Sequence, residues 1–146
     1  MLCTLSNKSE RALSIVRIML GIIFIAHGAQ KVLGLFGGPG LEGFVQWSAT
    51  MGIPSWLAYI AAFSELIAGI SLLLGLASEL GAILAIALMA GAIYFVHLKS
   101  GFFAQNGGYE YALSLLVFSI AILVGGPGDW YLWCSCKTRG CKCTKK

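Results

Sequence analysis

Four long apolar segments constrain this chain more than any other feature of its sequence. They span residues 11–33, 56–76, 80–98 and 111–133. An α-helix rises about 1.5 Å per residue, so about 20 residues cross a hydrocarbon core of about 30 Å. The pattern predicts an all-α, polytopic membrane protein whose four segments form a four-helix bundle. The fourth segment is borderline in length, because the Gly-Gly-Pro-Gly run at residues 125–128 interrupts it.

The composition excludes a soluble domain of any size. Hydrophobic residues make up 58% of the chain and charged residues only 11%, whereas charged residues form about 25% of a typical soluble domain. Lipid must therefore face much of the surface. The net charge of +4 is concentrated at the two ends of the chain, which favours a cytoplasmic location of both ends and not nucleic-acid binding.

The domain organisation follows from this charge pattern. We expect a cytoplasmic N-terminal segment at residues 1–10, a membrane domain at 11–133 and a basic, cysteine-rich cytoplasmic tail at 134–146. Four crossings of the plasma (inner) membrane would place both termini on one side. The basic start of the first segment also fits a signal peptide. However, a convincing cleavage site is missing, so we expect this segment to be retained.

A short amphipathic helix is predicted in the first outer loop. The sequence Gly-Gly-Pro-Gly at residues 37–40 breaks any preceding helix. After it, Leu41, Phe44, Val45 and Ala49 recur at helical spacing. This pattern is typical of a helix that lies at the membrane interface or packs into the bundle.

Two charged residues, Arg17 and Glu65, lie well away from the ends of the apolar segments. Glu65 is close to the middle of the second segment, where a charge costs roughly 2.5–3.5 kcal/mol on insertion scales. It should face the bundle interior, either protonated or paired. Arg17, in the inner half of the first segment, is expected to extend toward the inner headgroups, with an Arg17–Glu65 ion pair as the alternative. A clamp that only fixes helix packing remains open beside a functional role.

Polar residues of three segments share one level near the predicted outer side. His27 and Lys31 are four residues apart and share a helix face. His97 lies at the outer end of the third segment, and Glu110 opens the fourth. Each residue alone is ordinary at an interface, but their convergence predicts a polar pocket. Its candidate members are His27, Gln30, Lys31, Glu65, His97 and Glu110.

The tail contains four cysteines in the spacing C-x-C-x4-C-x-C, at Cys134, Cys136, Cys141 and Cys143. Four thiolates so close together are a candidate site for zinc or copper(I). The alternative is a disordered basic tail whose cysteines are incidental or acylated.

Several short motifs occur together in a consistent order over residues 11–128. They are HGAQK (27–31), FGGPGL (36–41), GIP (52–54), AFSE (62–65), His97 before GFF (101–103), GGYEY (107–111) and GPG (126–128). These motifs and their order resemble the pattern of the DoxX family of small bacterial and archaeal membrane proteins. The chain departs from that pattern after Gly128. The resemblance implies a four-helix membrane bundle. It also implies a link to redox chemistry, because members are associated with thiosulfate:quinone oxidoreductase and with a membrane oxidoreductase complex that handles oxidative and thiol stress.

The leading functional hypothesis is therefore an accessory or quinone-interacting component of a membrane redox system of the sulfur/thiol or oxidative-stress kind. A quinone would bind between helices, with His27, Lys31, His97 and Glu110 contacting its carbonyls. Catalysis is left open, and any activity would be that of a quinone-linked oxidoreductase component. The expected partners are the lipid bilayer, membrane or cytoplasmic redox proteins and a second copy of the chain.

Three alternatives stand beside this hypothesis. A mid-membrane Glu65 also suits a proton-coupled small-molecule transporter. The two histidines, His27 and His97, are candidate axial ligands of a single haem. The third alternative is a membrane scaffold without catalysis.

Overall fold

The computed structural model describes residues 2–132, and the regular elements in this range are helices. Five α-helices follow one another: α1 Leu2–Leu33, α2 Gly40–Thr50, α3 Ser55–Leu74, α4 Ser78–Ala92 and α5 Glu110–Gly125. A π-helical turn, Ile93–His97, and a 3-10 turn, Leu98–Ser100, continue α4. The predicted all-α class is confirmed.

Three stretches are long and apolar enough to cross a membrane: Lys8–Leu33, Ser55–Leu74 and Ser78–Ser100. The fourth predicted segment forms α5, which has 16 residues and a length of about 24 Å. It ends at Gly125 and does not continue to residue 133. The reason is local, because Gly126 adopts φ 89° and is followed by Pro127, which cannot continue a helix.

Helix α1 begins at Leu2, ahead of the membrane-capable stretch that starts at Lys8, and the cytoplasmic segment expected at residues 1–10 stays a prediction. One other predicted boundary differs from the structure. The second segment stops at Leu74 because Gly75 adopts the left-handed conformation, φ 68°, that commonly terminates helices. A tight turn then reverses the chain into α4.

Helices α1 and α3 form an antiparallel pair at very close range. A Cβ atom built on Gly21 would lie 2.5 Å from the backbone nitrogen of Leu73, and one built on Gly69 would lie 2.5 Å from that of Ile25. No side chain fits at these positions without moving a backbone. Small residues at such contacts let membrane helices approach closely, and here they fix the register of α1 against α3.

The other helices close a ring around one apolar core. Helix α4 packs on α3 and α5, and α5 returns to α1. The buried core draws on four of the five helices, with Leu20 and Phe24 of α1, Leu72 of α3, Ala85 of α4 and Leu115 of α5 among its members. Much of the surface outside this core is apolar, as lipid contact requires.

Helix α2 occupies the predicted place in the first loop. Its Phe44 is buried against Ala58 and Ala62 of α3, and Val45 packs partly on the same cluster. Ala49 is exposed, so the apolar face of α2 is narrower than the sequence predicts. The helix is tucked against α1 and α3 and covers the first turns of α3.

Arg17 is fully buried, so the expectation that it extends to the headgroups is wrong. Its Nε donates to the carbonyl of Pro127 at 2.8 Å, and its terminal nitrogens donate to the carbonyls of Leu72 and Trp130. The last carbonyls of a helix lack intrahelical donors, and a guanidinium supplies five donors in a rigid fork. Arg17 thus joins the end of α3 to the segment after α5, and it does not pair with Glu65.

We expect Arg17→Lys to destabilise the bundle strongly although the charge is kept. One ammonium cannot reach carbonyls on two separate segments, and each buried carbonyl left without a donor costs about 1–3 kcal/mol. The measurement is the unfolding temperature of the purified protein in detergent. Arg11→Lys is the matched control, because the Arg11 side chain is 61% exposed and lies 3.9 Å from Asp129. Equal unfolding temperatures for the two variants would contradict the assignment.

Candidate functional site

A cavity of about 520 Å³ lies between α2, α3 and α4. This volume is within the range of about 300–1,000 Å³ that is usual for small-molecule sites. Its walls are mostly aliphatic and aromatic, and the aromatic members are Phe44, Trp47 and Phe95. Polar side chains of only four lining residues interrupt this surface: Lys31, Ser64, Glu65 and His97. An apolar pocket with a few polar groups is the usual form of a ligand site.

Lys31 and Glu65 form an ion pair at the cavity wall. The ammonium of Lys31, in the last turn of α1, donates to Oε2 of Glu65 on α3. The Glu65 side chain is only 4% exposed and that of Lys31 is 29% exposed. The same ammonium lies 5.1 Å from the centroid of the Phe44 ring, in cation–π range. An ammonium has three N–H donors, so the bond to Glu65 leaves two that a ligand can use.

His97 reaches the cavity from the π-helical turn after α4. Its Nδ1 lies 2.7 Å from the carbonyl oxygen of Gly107. A carbonyl can only accept, so Nδ1 carries the proton, and in the neutral ring Nε2 is then an acceptor. The wider turn also brings the neighbouring residues Phe95 and Val96 to the same wall. Such π-turns are frequent at functional sites.

Lys31 and His97 therefore give this cavity complementary hydrogen-bonding groups. Lys31 is in the last turn of α1, and His97 follows α4. Both helices run in the same direction, because each packs antiparallel to α3. The donor and the acceptor consequently lie near the same end of the bundle.

Three residues of the predicted polar pocket do not line this cavity. The ring of His27 faces Tyr111, with 6.3 Å between the ring centroids. Glu110 accepts a hydrogen bond from the backbone N–H of Ala104 at 2.8 Å, which pins the loop before α5. Gln30 packs its backbone against Gly38. The structure thus brings Lys31, Glu65 and His97 together and leaves the other three outside.

Sequence reasoning missed the aromatic walls of the cavity and Ser64. Phe44 was expected on the apolar face of α2, and Trp47 follows it by three residues, so both belong to one helix face. That spacing could have predicted the aromatic wall formed by α2. No sequence pattern predicts the position of Phe95, because the direction of its side chain depends on the π-turn.

Two metal hypotheses came from the sequence, a zinc or copper(I) site in the cysteine tail and a haem site, and the described part of the chain supports neither. The four tail cysteines lie outside the described residues. Between residues 2 and 132 no group of three or more His, Cys, Asp or Glu side chains is placed to hold a metal ion. His27 and His97, the candidate haem ligands, have different neighbours, Tyr111 and Gly107.

Fold and site together define a helical integral membrane protein with an apolar cavity whose wall carries a partly enclosed ion pair. The family model for DoxX matches residues 12–98, and the chain belongs to the DoxX family. The resemblance seen in its motifs is thereby confirmed.

Two relatives are similar over most of their length. One, named "Putative oxidoreductase CatD", comes from Bacillus subtilis and is 36% identical over 117 residues, which is 80% of this chain and 82% of the relative. The other, named "Uncharacterized membrane protein Rv3486", comes from Mycobacterium tuberculosis and is 30% identical over 129 residues, with 80% and 76% covered. No solved structure matches the chain significantly.

We expect the Lys31–Glu65 pair to show strong coupling in a double-mutant cycle. Lys31→Met alone leaves the buried Glu65 carboxylate without its partner, and breaking a buried pair costs about 3–5 kcal/mol when both groups are fully buried. The cost here should be smaller, because Lys31 is 29% exposed. The double variant Lys31→Met/Glu65→Leu removes both charges and should recover most of the unfolding temperature in detergent. Simple additivity of the two single effects would contradict the pairing.

Proposed function

We propose that this protein is a quinone-interacting component of a membrane redox system and that the quinone ring binds in the cavity. The observation that carries the proposal is the pairing of a donor and an acceptor within an apolar, aromatic-walled site. The residues are Lys31 and His97, with Phe44 and Trp47 in the wall. A quinone is a flat apolar ring with carbonyl oxygens at its edge, and it matches these features.

The two polar groups suit both redox forms of such a ring. The ammonium of Lys31 donates a hydrogen bond to a quinone carbonyl. Nε2 of His97 accepts one from the hydroxyl of the two-electron, two-proton reduced form, and an imidazole can also take up that proton. Glu65 holds the ammonium in place through the ion pair. A component that exchanges quinone with a redox partner must bind both the oxidised and the reduced form.

Access from the lipid phase supports the same ligand. Ile60 is 55% exposed and Phe95 is 39% exposed, although both line the cavity. Both residues belong to membrane-capable stretches, Ser55–Leu74 and Ser78–Ser100, and apolar side chains exposed on such helices face lipid. A quinone dissolved in the bilayer would therefore enter sideways, without passing through water.

Electrons would come from a partner. None of the polar side chains of the cavity, which belong to Lys31, Ser64, Glu65 and His97, stores electrons. This chain would thus bind quinone and handle its protons, while a membrane or cytoplasmic redox protein supplies the electrons. The word oxidoreductase in the name of CatD agrees with such a system.

We expect His97→Asn to weaken quinone binding about three- to tenfold, the worth of one hydrogen bond. The asparagine amide keeps a donor near the position of Nδ1, so the bond to Gly107 can persist while the Nε2 acceptor is lost. The measurement is equilibrium binding of quinone to the purified protein in detergent. His27→Asn is the matched control and should bind like the unchanged protein. An equal loss in both variants, or in neither, would remove His97 from the site.

The proposal includes four crossings, with both termini on the cytoplasmic side of the plasma membrane. The segment after α5 packs beside the first half of α1, since the N–H of Trp130 donates to Oγ of Ser14 at 3.2 Å. Lys8 and Arg11 lie near this end of the bundle, and the tail beyond it is basic. Positive charge of this kind marks cytoplasmic segments.

Reporter fusions should place three positions on the cytoplasmic side: the N-terminus, the C-terminus and the turn at residues 75–77. A fusion in the loop at residues 101–109 should report the opposite side and serves as the internal control. The measurement is the activity of paired reporters that work only inside or only outside the cell. Termini on opposite sides would mean that α5 does not cross.

A further inference from the structure

The cysteines of the tail form a motif that the proposed quinone site does not use. They make two C-x-C pairs, Cys134 with Cys136 and Cys141 with Cys143, and four residues separate the pairs. Residues 134–146 contain no histidine and no carboxylate side chain. A metal ion bound by the side chains of this tail would therefore have thiolates as its ligands.

The segment immediately before the tail is fixed to the bundle at three points. The N–H of Trp130 donates to Oγ of Ser14 at 3.2 Å, and its carbonyl accepts from the guanidinium of Arg17. The N–H of Leu132 donates to the carbonyl of Leu74, at the end of α3, at 3.1 Å. A chain spans at most about 3.6 Å per residue, so the Cα atoms of the first two tail cysteines lie within about 7 Å and 14 Å of that of Leu132. The anchored segment therefore keeps the first C-x-C pair near the end of α3.

The spacing of the thiolates distinguishes between the two soft ions that such a ligand set favours, zinc and copper(I). Zinc sites are tetrahedral and typically take paired cysteines with two to four residues between them. In this tail a single residue separates the members of each pair. Copper(I) is satisfied by two or three thiolates, which one C-x-C pair begins to supply and the other completes. The spacing therefore favours copper(I).

Basic side chains among the cysteines favour the same chemistry. Lys137, Arg139 and Lys142 lie between or beside the two pairs. Nearby cations favour the thiolate over the thiol, and the thiolate is the form that binds metal. They also offset the negative charge of a copper(I) ion that carries several thiolates.

We propose that the tail is a copper(I)-binding site in which the two C-x-C pairs act together, and that the anchored segment keeps this site near the end of α3. Each cysteine that becomes a ligand releases its thiol proton to water, and the copper stays in the +1 state, so no electron is transferred. On the side that we propose to be cytoplasmic, thiols are kept reduced and are available as ligands. This inference does not depend on quinone binding.

The test is a competition between the purified full chain in detergent, without a polyhistidine tag, and a coloured copper(I) chelator under anaerobic, reducing conditions. The unchanged protein should withdraw copper(I) from the chelator. The variants Cys134→Ser/Cys136→Ser and Cys141→Ser/Cys143→Ser should each weaken binding about tenfold or more, because a hydroxyl does not replace a thiolate toward a soft ion. Cys3→Ser is the matched control. It removes the one cysteine outside the tail and should change the affinity by less than about twofold.

Two further measurements make the result specific. The unfolding temperature of each variant without metal should equal that of the unchanged protein, which shows that a lost affinity does not come from a misfolded bundle. An excess of zinc should not displace the bound copper(I). Displacement by zinc would overturn the choice of metal.

The remaining outcomes are equally decisive. Failure of the unchanged protein to take copper(I) from the chelator would overturn the site. An equal loss of affinity in Cys3→Ser and in the pair variants would do the same. Weakening by the loss of one pair and not of the other would contradict their joint action. None of these results bears on the quinone cavity, which the binding experiment with His97→Asn tests separately.

Discussion

The close antiparallel contact between α1 and α3 is the constraint on which the rest of the structure depends. With glycines at positions such as 21 and 69, the two backbones approach until no side chain fits between them. This contact sets one register for the helix pair. In that register Arg17 meets the last carbonyls of α3 at one end of the pair, and Lys31 meets Glu65 toward the other. A different register would leave both cations without partners in an apolar medium.

The two polar contacts do different work. Arg17 is fully buried and its described partners are backbone carbonyls, so it acts as a connector between the end of α3 and the segment after α5. The Lys31–Glu65 pair is only partly enclosed, because a cavity opens beside it. Helix α2 forms one wall of that cavity, and helices α3 and α4 form the other walls. A cation held in the apolar bundle thus stabilises one end of the molecule, and a second cation lies beside the cavity toward the other end.

The sequence predicted the parts of this structure that depend on local pattern. The apolar segments, the break before α2 and the inward position of Glu65, protonated or paired, follow from length, turn chemistry and the cost of a buried charge. The identity of its partner does not. The sequence offered Arg17, whereas the structure pairs Glu65 with Lys31, because the partner depends on helix rotation and register, which glycine packing decides. For the same reason His27 and His97 looked equivalent in sequence, whereas one faces Tyr111 and the other lines the cavity.

The position of Glu65 also limits what the cavity can bind. Its side chain is only 4% exposed and accepts a hydrogen bond from the Lys31 ammonium, so the more accessible charged group of the pair is the cation, whose side chain is 29% exposed. A cavity equipped in this way favours electron-rich oxygens such as carbonyls over ligands that are themselves cations. The aromatic wall at Phe44, which already contacts the ammonium, extends the preference to flat rings that stack beside it. Charge and shape therefore both match the flat apolar ring with carbonyl groups at its edge that the proposed function requires.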